Sequence, residues 1–254
     1  MLTIERLAVS TWSFHKLFET EPPMEALDFP QMIADRYGIH NVEIVLPHLS
    51  SIEPSYLEEF KQRLTKADSR IVHMPLDFKE LWERPALSAS DAQERARAVE
   101  LYRQGIDVAA AIGCPAVRCD PGIVSLDDPS ITIGSYRNLV PYAQSKGIEV
   151  LVENHGSISR NPDVLVRILE SSGARALPDI GNFPDDTTRE RGLRALYPLA
   201  SGICHAKLDS RFDLAKYLRI AKDAGFRGLF SIEATGEGDP YEEVQKIQTE
   251  LLSQ

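Results

Sequence analysis

Short apolar runs of strand-forming composition alternate with stretches of helical spacing along the whole chain, and this alternation restricts its fold more than any other feature. Eight such runs stand out, at residues 7–12, 41–46, 70–74, 116–119, 149–153, 176–179, 202–206 and 228–233. Helical spacing fills residues 29–37, 90–112, 135–146, 162–171, 189–199, 213–224 and 240–252. Asp28 is placed as the N-cap of the first helix, with Pro30 in its first turn. A strand that returns parallel to its predecessor needs a long crossover, and a helix supplies it. Eight such units in 254 residues is the size of a closed (β/α)8 barrel, a TIM barrel. An open doubly wound sheet fits less well, because no G-x-G-x-x-G follows the first run. Gly38, Gly147, Gly173 and Gly225 each stand between a helical stretch and the next strand, where a left-handed residue ends a helix. No Pro/Ser/Gly-rich linker divides the chain, so residues 1–254 read as one domain. Residues 76–89, with Trp82 and Pro85, form the longest loop-like stretch: either a lid at the barrel mouth or a loop packed across it.

The net charge of −10 and the lack of any Lys/Arg-rich run argue against a nucleic-acid partner, which needs a positive footprint. No apolar run approaches the roughly 20 residues that span a bilayer. The opening MLTIERLAVSTW lacks the basic-then-apolar layout of a signal peptide. Cys114, Cys119 and Cys204 are odd in number, lack a C-x-x-C pattern and lie in apolar surroundings. They read as buried free thiols, which suits a reducing cytoplasm.

Four residues end apolar runs in the second half of the chain: Glu153 in VLVEN, Asp179 in RALPD, His205 in GICHAK and Glu233 in LFSIE. In a parallel barrel such positions converge at the C-terminal face, where active sites collect. Three carboxylates and one imidazole suit a hard or borderline divalent ion, Mn²⁺ first, with Mg²⁺, Co²⁺ or Zn²⁺ also acceptable. Alternation along a strand places His155 on the face of Glu153, and Lys207 and Asp209 on the face of His205. His73 shares its parity with Pro75, and either Arg118 or Asp120 can face the mouth, though not together with Cys119. Glu43 either reaches the site or caps a strand-to-helix turn. An ion bound by two oxygens of a sugar makes the neighbouring C–H more acidic, and a carboxylate beside it can then remove the proton. Glu153 and Glu233 stand on the fifth and eighth strands, far enough apart to flank a substrate as base and acid. Asp179 and His205 would be ligands only, while His155, Lys207 and Arg211 would orient hydroxyls or a phosphate. The other histidines, His15, His40 and His48, read as solvated or capping residues.

The segments VENHG, PDIGNF, HAKLDSR and SIEATG, with the opening STWSF and the run Tyr37-Gly38-Ile39-His40-Asn41-Val42-Glu43-Ile44, resemble the xylose isomerase-like TIM barrels. More narrowly, they resemble the sugar and sugar-phosphate isomerase/epimerase group. The resemblance extends over nearly the whole chain and rests on the order and spacing of the four segments. It implies a metal-dependent isomerase or epimerase with a carbohydrate substrate and a homodimeric assembly. Glu153, Asp179, His205 and Glu233 match the metal ligands of that group. Glu153 and Glu233 match the pair that moves a proton through an enediolate, and Arg211 falls where an arginine contacts substrate. His73 and Asn182 complete the candidate substrate contacts. Asn182 departs from the group: several epimerases have a histidine there, and an amide can bond a hydroxyl but does not titrate near neutrality.

Three other readings compete. A lyase of the inosose dehydratase or C-glycoside type would use the same site, because proton abstraction beside a carbonyl is also the first step of dehydration. A non-catalytic binding subunit would have no physical reason to keep three carboxylates that repel one another without a cation. A nuclease of the endonuclease IV type shares His73, Glu153, Asp179, His205 and Glu233, but needs a trinuclear cluster, and the chain has only six histidines.

Overall fold

The structure, a computed structural model, describes residues 2–124 and 128–254. Eight parallel strands form the barrel among the described residues: β1 (Leu7–Ser10), β2 (Asn41–Glu43), β3 (Arg70–Pro75), β4 (Ala116–Arg118), β5 (Glu149–Glu153), β6 (Arg175–Leu177), β7 (Ile203–Ala206) and β8 (Leu229–Ile232). They pair in the order β6-β5-β4-β3-β2-β1-β8-β7. The remaining seam, between β6 and β7, carries two isolated bridges, Ala176 to Ala200 and Asp179 to His205. Pro178 has no N–H to extend a ladder there, but its carbonyl accepts from His205 N–H at 2.9 Å. Several apolar runs therefore outlast their strands: the run at 176–179 gives a strand ending at Leu177.

Eight α-helices surround the barrel among the described residues: α1 (Phe29–Tyr37), α2 (Pro54–Lys66), α3 (Ala92–Ala111), α4 (Ser130–Gln144), α5 (Pro162–Ser172), α6 (Asp186–Leu196), α7 (Leu214–Asp223) and α8 (Pro240–Leu252). Gly38 and Gly173 close α1 and α5 with φ of 64° and 81°, as the sequence implies. Asp28 sits at the N-cap of α1, but its carboxylate pairs with Arg63 at 3.0 Å and makes no capping bond. Helix α2 was not legible from spacing, because only Leu57, Phe60 and Leu64 of its 13 residues are buried. Helix α4 begins at Ser130, before the position that spacing predicts, and buries the polar side chains of Thr132 and Ser135. Both serve the 76–89 loop: Ser135 Oγ donates to the Leu87 carbonyl at 2.6 Å, and the Thr132 and Ser88 hydroxyls lie 2.8 Å apart. The root of that loop is thus packed, while Trp82 at its tip is 52% exposed. No helix among the described residues is long and apolar enough to cross a membrane.

Val72, Ala116, Leu151, Leu177, Ile203 and Leu229 pack together on six strands of the barrel. Two residues further along their strands or just beyond come Arg118, Glu153, Asp179 and His205, and Glu233 follows Leu229 by four. Period-two alternation keeps each of these on the same face as its plug residue. The apolar plug is therefore the floor of a polar site at the C-terminal face.

Candidate metal centre and substrate cavity

Glu153, Asp179, His205 and Glu233 each offer one donor atom, and these atoms all lie within 4.8 Å of one another. All four residues are buried, with exposures from 0% to 5%. His205 Nδ1 faces the three carboxylates: it lies 3.1 Å from Glu153 Oε1, 3.6 Å from Asp179 Oδ2 and 3.7 Å from Glu233 Oε1. Its Nε2 faces the other way, 3.0 Å from Glu43 Oε2. Burial pushes the His205 pKa down, but the carboxylates of Glu43, Glu233 and Glu153 outweigh it and raise the pKa well above the usual range. Both ring nitrogens therefore hold protons when no ion is bound. A bound ion would take the place of the proton at Nδ1, and Nε2–H would then donate to Glu43, the arrangement that fixes the orientation of a ligating imidazole.

Asp179 is held by its own turn. Its Oδ1 accepts the Gly181 and Asn182 N–H groups at 2.6 and 2.9 Å, and Asn154 clamps its backbone in both directions. Asp179 Oδ2 is buried and receives no aligned hydrogen bond. That oxygen, beside the His205 imidazole and grouped with two further carboxylates, fits a cation. Lys207 Nζ supplies part of the balancing charge, at 2.9 Å from Asp179 Oδ2 and 2.6 Å from Glu233 Oε2. Burial lowers the Lys207 pKa, and Asp179, Glu233 and Glu153 together more than reverse it.

The family model for the xylose isomerase-like TIM barrel matches residues 33–252. The chain belongs to that family. Solved structures similar to this xylose isomerase-like barrel include a D-tagatose 3-epimerase-like protein, at 18% identity, TM-score 0.74 and coverage of 98% of this chain and 97% of the other. A D-allulose 3-epimerase from Methylomonas sp. gives 16% identity, TM-score 0.74 and coverage of 98% and 97%. A 3-keto-D-glucoside 4-epimerase from E. coli gives 13% identity, TM-score 0.75 and coverage of 98% and 99%. At these identities the likeness is one of fold. No curated protein sequence matches the chain.

Two basic side chains flank the candidate ligand set of this xylose isomerase-like barrel. Arg118, at the end of β4 and 5% exposed, pairs with Glu153 Oε2 and with Asp77. Burial pushes the Glu153 carboxyl up, but the Arg118 guanidinium and the His205 imidazole outweigh it and hold it well below the usual range. Asn182 Nδ2 donates to Glu153 Oε1 at 2.9 Å, and its Oδ1 accepts from Lys207 Nζ at 3.1 Å. Above lies a cavity of about 370 Å³, whose polar lining includes Asp120, His155, Lys207 and Glu233. His155, half exposed, contacts Asp120 Oδ2 through Nδ1 at 3.1 Å.

Three expected substrate contacts do not line the cavity: His73, Arg211 and Asn182, the last of which is held between Glu153 and Lys207. His73 is fully buried behind the ligand set, with Nδ1 3.0 Å from Glu43 Oε2 and neither ring nitrogen in an aligned hydrogen bond. A register shift explains its placement: Val42 pairs with Ile71 but Glu43 pairs with His73, so the extra residue Val72 changes which side chains turn inward. Arg211 is taken by its own loop: it pairs with Asp209 at 2.6 Å, and its side chain is 66% exposed. Conversely, Glu43 is fully buried and central, its carboxyl lowered despite burial by His205 and His73. Its position at the end of β2 was visible, but a pairing across 162 residues was not. Arg118 and Asp120 share the inward parity, and both line the cavity. Asp77, two residues beyond Pro75, carried no signal. His48, expected to be a solvated or capping residue, instead stacks on Phe18 with ring centroids 4.1 Å apart. The three cysteines are buried and free, and burial raises the thiols of Cys114 and Cys204 to about 12.

Proposed function

We propose that this barrel is a divalent-metal-dependent sugar or sugar-phosphate isomerase or epimerase, with Glu153 and Glu233 exchanging a proton with a substrate carbon through an enediolate. One observation carries the reading: four strand ends bring the donor atoms of three carboxylates and an imidazole, all buried, to within 4.8 Å of one another. Similar structures named for sugar epimerases support a carbohydrate substrate.

Glu153, Asp179, His205 and Glu233 would hold the ion, Mn²⁺ first among those that suit the set. Bound there, it supplies Lewis-acid polarisation of a carbonyl and acidifies the adjacent C–H. Glu153 stays ionised through the neutral range because Arg118 neutralises it, so it is ready to accept a proton. Glu233 approaches from β8, with one oxygen on the Lys207 ammonium, and can hold or return a proton from the other side. Lys207 and His155 line the cavity where substrate hydroxyls would lie, and the Asn182 amide joins Lys207 to Glu153. Glu43 keeps the His205 ring in place through Nε2. Reprotonation of the enediolate gives an isomer; loss of a β-hydroxyl would give dehydration instead.

The test is deuterium uptake by mass spectrometry in D₂O, with Mn²⁺ or EDTA, over ketoses, aldoses, their phosphates and inososes. Metal-dependent uptake without mass loss is expected, and Glu153→Gln and Glu233→Gln should each lower it by about 10²–10⁴-fold. Wild-type exchange in either variant would refute the two-glutamate mechanism, and loss of water would make the protein a dehydratase.

A further inference from the structure

The cavity above the carboxylates has two unlike halves. Its base is polar, with Arg118, Asp120, His155, Lys207 and Glu233. Its mouth is mostly carbon, with the Glu83 carboxylate beside five apolar side chains: Phe78, Leu81 and Trp82 come from the 76–89 loop, Trp12 follows β1 and Ile123 follows β4. Of these five, only the indoles carry a hydrogen-bonding group. A free sugar has a hydroxyl on nearly every carbon, and each needs a polar partner when it leaves water. Asp77, which also lines the cavity, is engaged by Arg118.

Trp82 and Ile123 are 52% and 53% exposed, two of five large apolar side chains left in water among the described residues. Apolar surface gathered beside a polar cleft marks a binding surface more often than chance exposure does. The wall is also built. Ile123 N–H donates to the Arg84 carbonyl at 2.8 Å, joining the two loops that carry these side chains. Gly122, at φ 94°, lets them touch: a Cβ there would lie 2.1 Å from the Pro85 carbonyl oxygen. The volume of about 370 Å³ falls in the range of pockets that enclose drug-sized ligands, roughly 300–1,000 Å³.

We propose that the substrate is a sugar conjugate whose polyhydroxy head keeps a carbonyl and lies at the carboxylates, with an aromatic-sized apolar substituent between Trp82, Phe78, Leu81 and Ile123. The head rests on the sugar reading above; the substituent rests on the mouth alone. Both tryptophans of the chain, Trp12 and Trp82, line this cavity, so intrinsic fluorescence reports its occupancy.

The experiment titrates Mn²⁺-loaded protein with phenyl and methyl glycosides of glucose, galactose and xylose as matched pairs, and with phenol alone. Phenyl glycosides should bind about ten- to a hundredfold tighter than their methyl partners, the range that burial of one aromatic ring supports. Trp82→Ala and Ile123→Ser should each bring that ratio towards one. Ile52→Ser, at an exposed residue outside the cavity, should leave it unchanged. Equal affinities in every pair, no binding by any phenyl compound, or a ratio that survives both substitutions overturns the proposal. So does concentration-dependent self-association that Trp82→Ala abolishes while the ratio stays at one, which assigns the mouth to a second copy of the chain. Deuterium exchange into free sugars with a ratio of one sinks this inference alone. Phenyl-selective binding without exchange into any carbonyl-bearing sugar or sugar conjugate sinks the isomerase reading alone.

Discussion

Replacing Arg118 with Met should destabilise the ion-free protein by about 3–5 kcal/mol, the loss expected when one partner of a buried ion pair is removed. The structure says where that cost falls. Asp77 is 18% exposed and can turn to water, whereas the Glu153 side chain is 1% exposed and cannot. Without the guanidinium, Glu153 keeps only the Asn182 amide and the His205 imidazole as partners. For a chain of this size the loss corresponds to a fall in melting temperature of about 6–20 °C. Its pH dependence has a definite sign. The folded pKa of Glu153 lies below its unfolded value, so its stabilisation is present above the unfolded carboxylate range and disappears as pH falls through the folded pKa. The deficit of Arg118→Met should therefore be widest near neutrality and narrow towards acid. Thermal melts in EDTA followed by circular dichroism measure it, and the double variant Arg118→Met/Glu153→Gln should recover at least half, because the stranded charge is gone. A single variant within about 0.5 kcal/mol of wild type, or a deficit that Glu153→Gln does not reduce, would refute the reasoning.

Lys207→Met should lower the melting temperature in EDTA yet enlarge the rise produced by Mn²⁺, because the ammonium and an ion share Asp179 and Glu233. Calorimetric titration should show binding tighter by about 10–100-fold; equal or weaker affinity counts against competition. Burial pushes the His48 pKa down to about 4, with His15 and Lys79 adding repulsion. The unfolded chain then binds more protons than the folded one as pH drops from about 6.5 to about 4, and stability falls by about 3 kcal/mol over that window. Denaturant titrations of His48→Gln should show this part of the slope removed; an unchanged slope would place its origin elsewhere.

The barrel and its four converging strand ends were legible because apolar runs and their terminal carboxylates repeat in order. What escaped was set by geometry that a linear pattern does not carry. The inserted Val72 on β3 sends His73 behind the ligand set, and nothing in RIVHMP announces a register shift. Arg211 looks free in HAKLDSR, yet Asp209, two residues earlier, captures its guanidinium. Glu43 could be counted as a cap until His205 was found against it from the far side of the barrel. Helix α2 hides because a short stripe of Leu57, Phe60 and Leu64 suffices to dock a helix that is otherwise wet.

The seam between β6 and β7 gives the candidate ligands Asp179 and His205 a structural part as well. Elsewhere neighbouring strands are zipped by registered backbone pairs, but here Asp179 and His205 form one of only two bridges among the described residues. A cation at that place would act as a stitch as well as a reagent. The free energy of binding it would in part be the free energy of closing the cylinder, since whatever binds only the folded form stabilises it. Ion affinity and the integrity of the wall are then one property, and a chain that gave up its chemistry would slacken its architecture at the same spot.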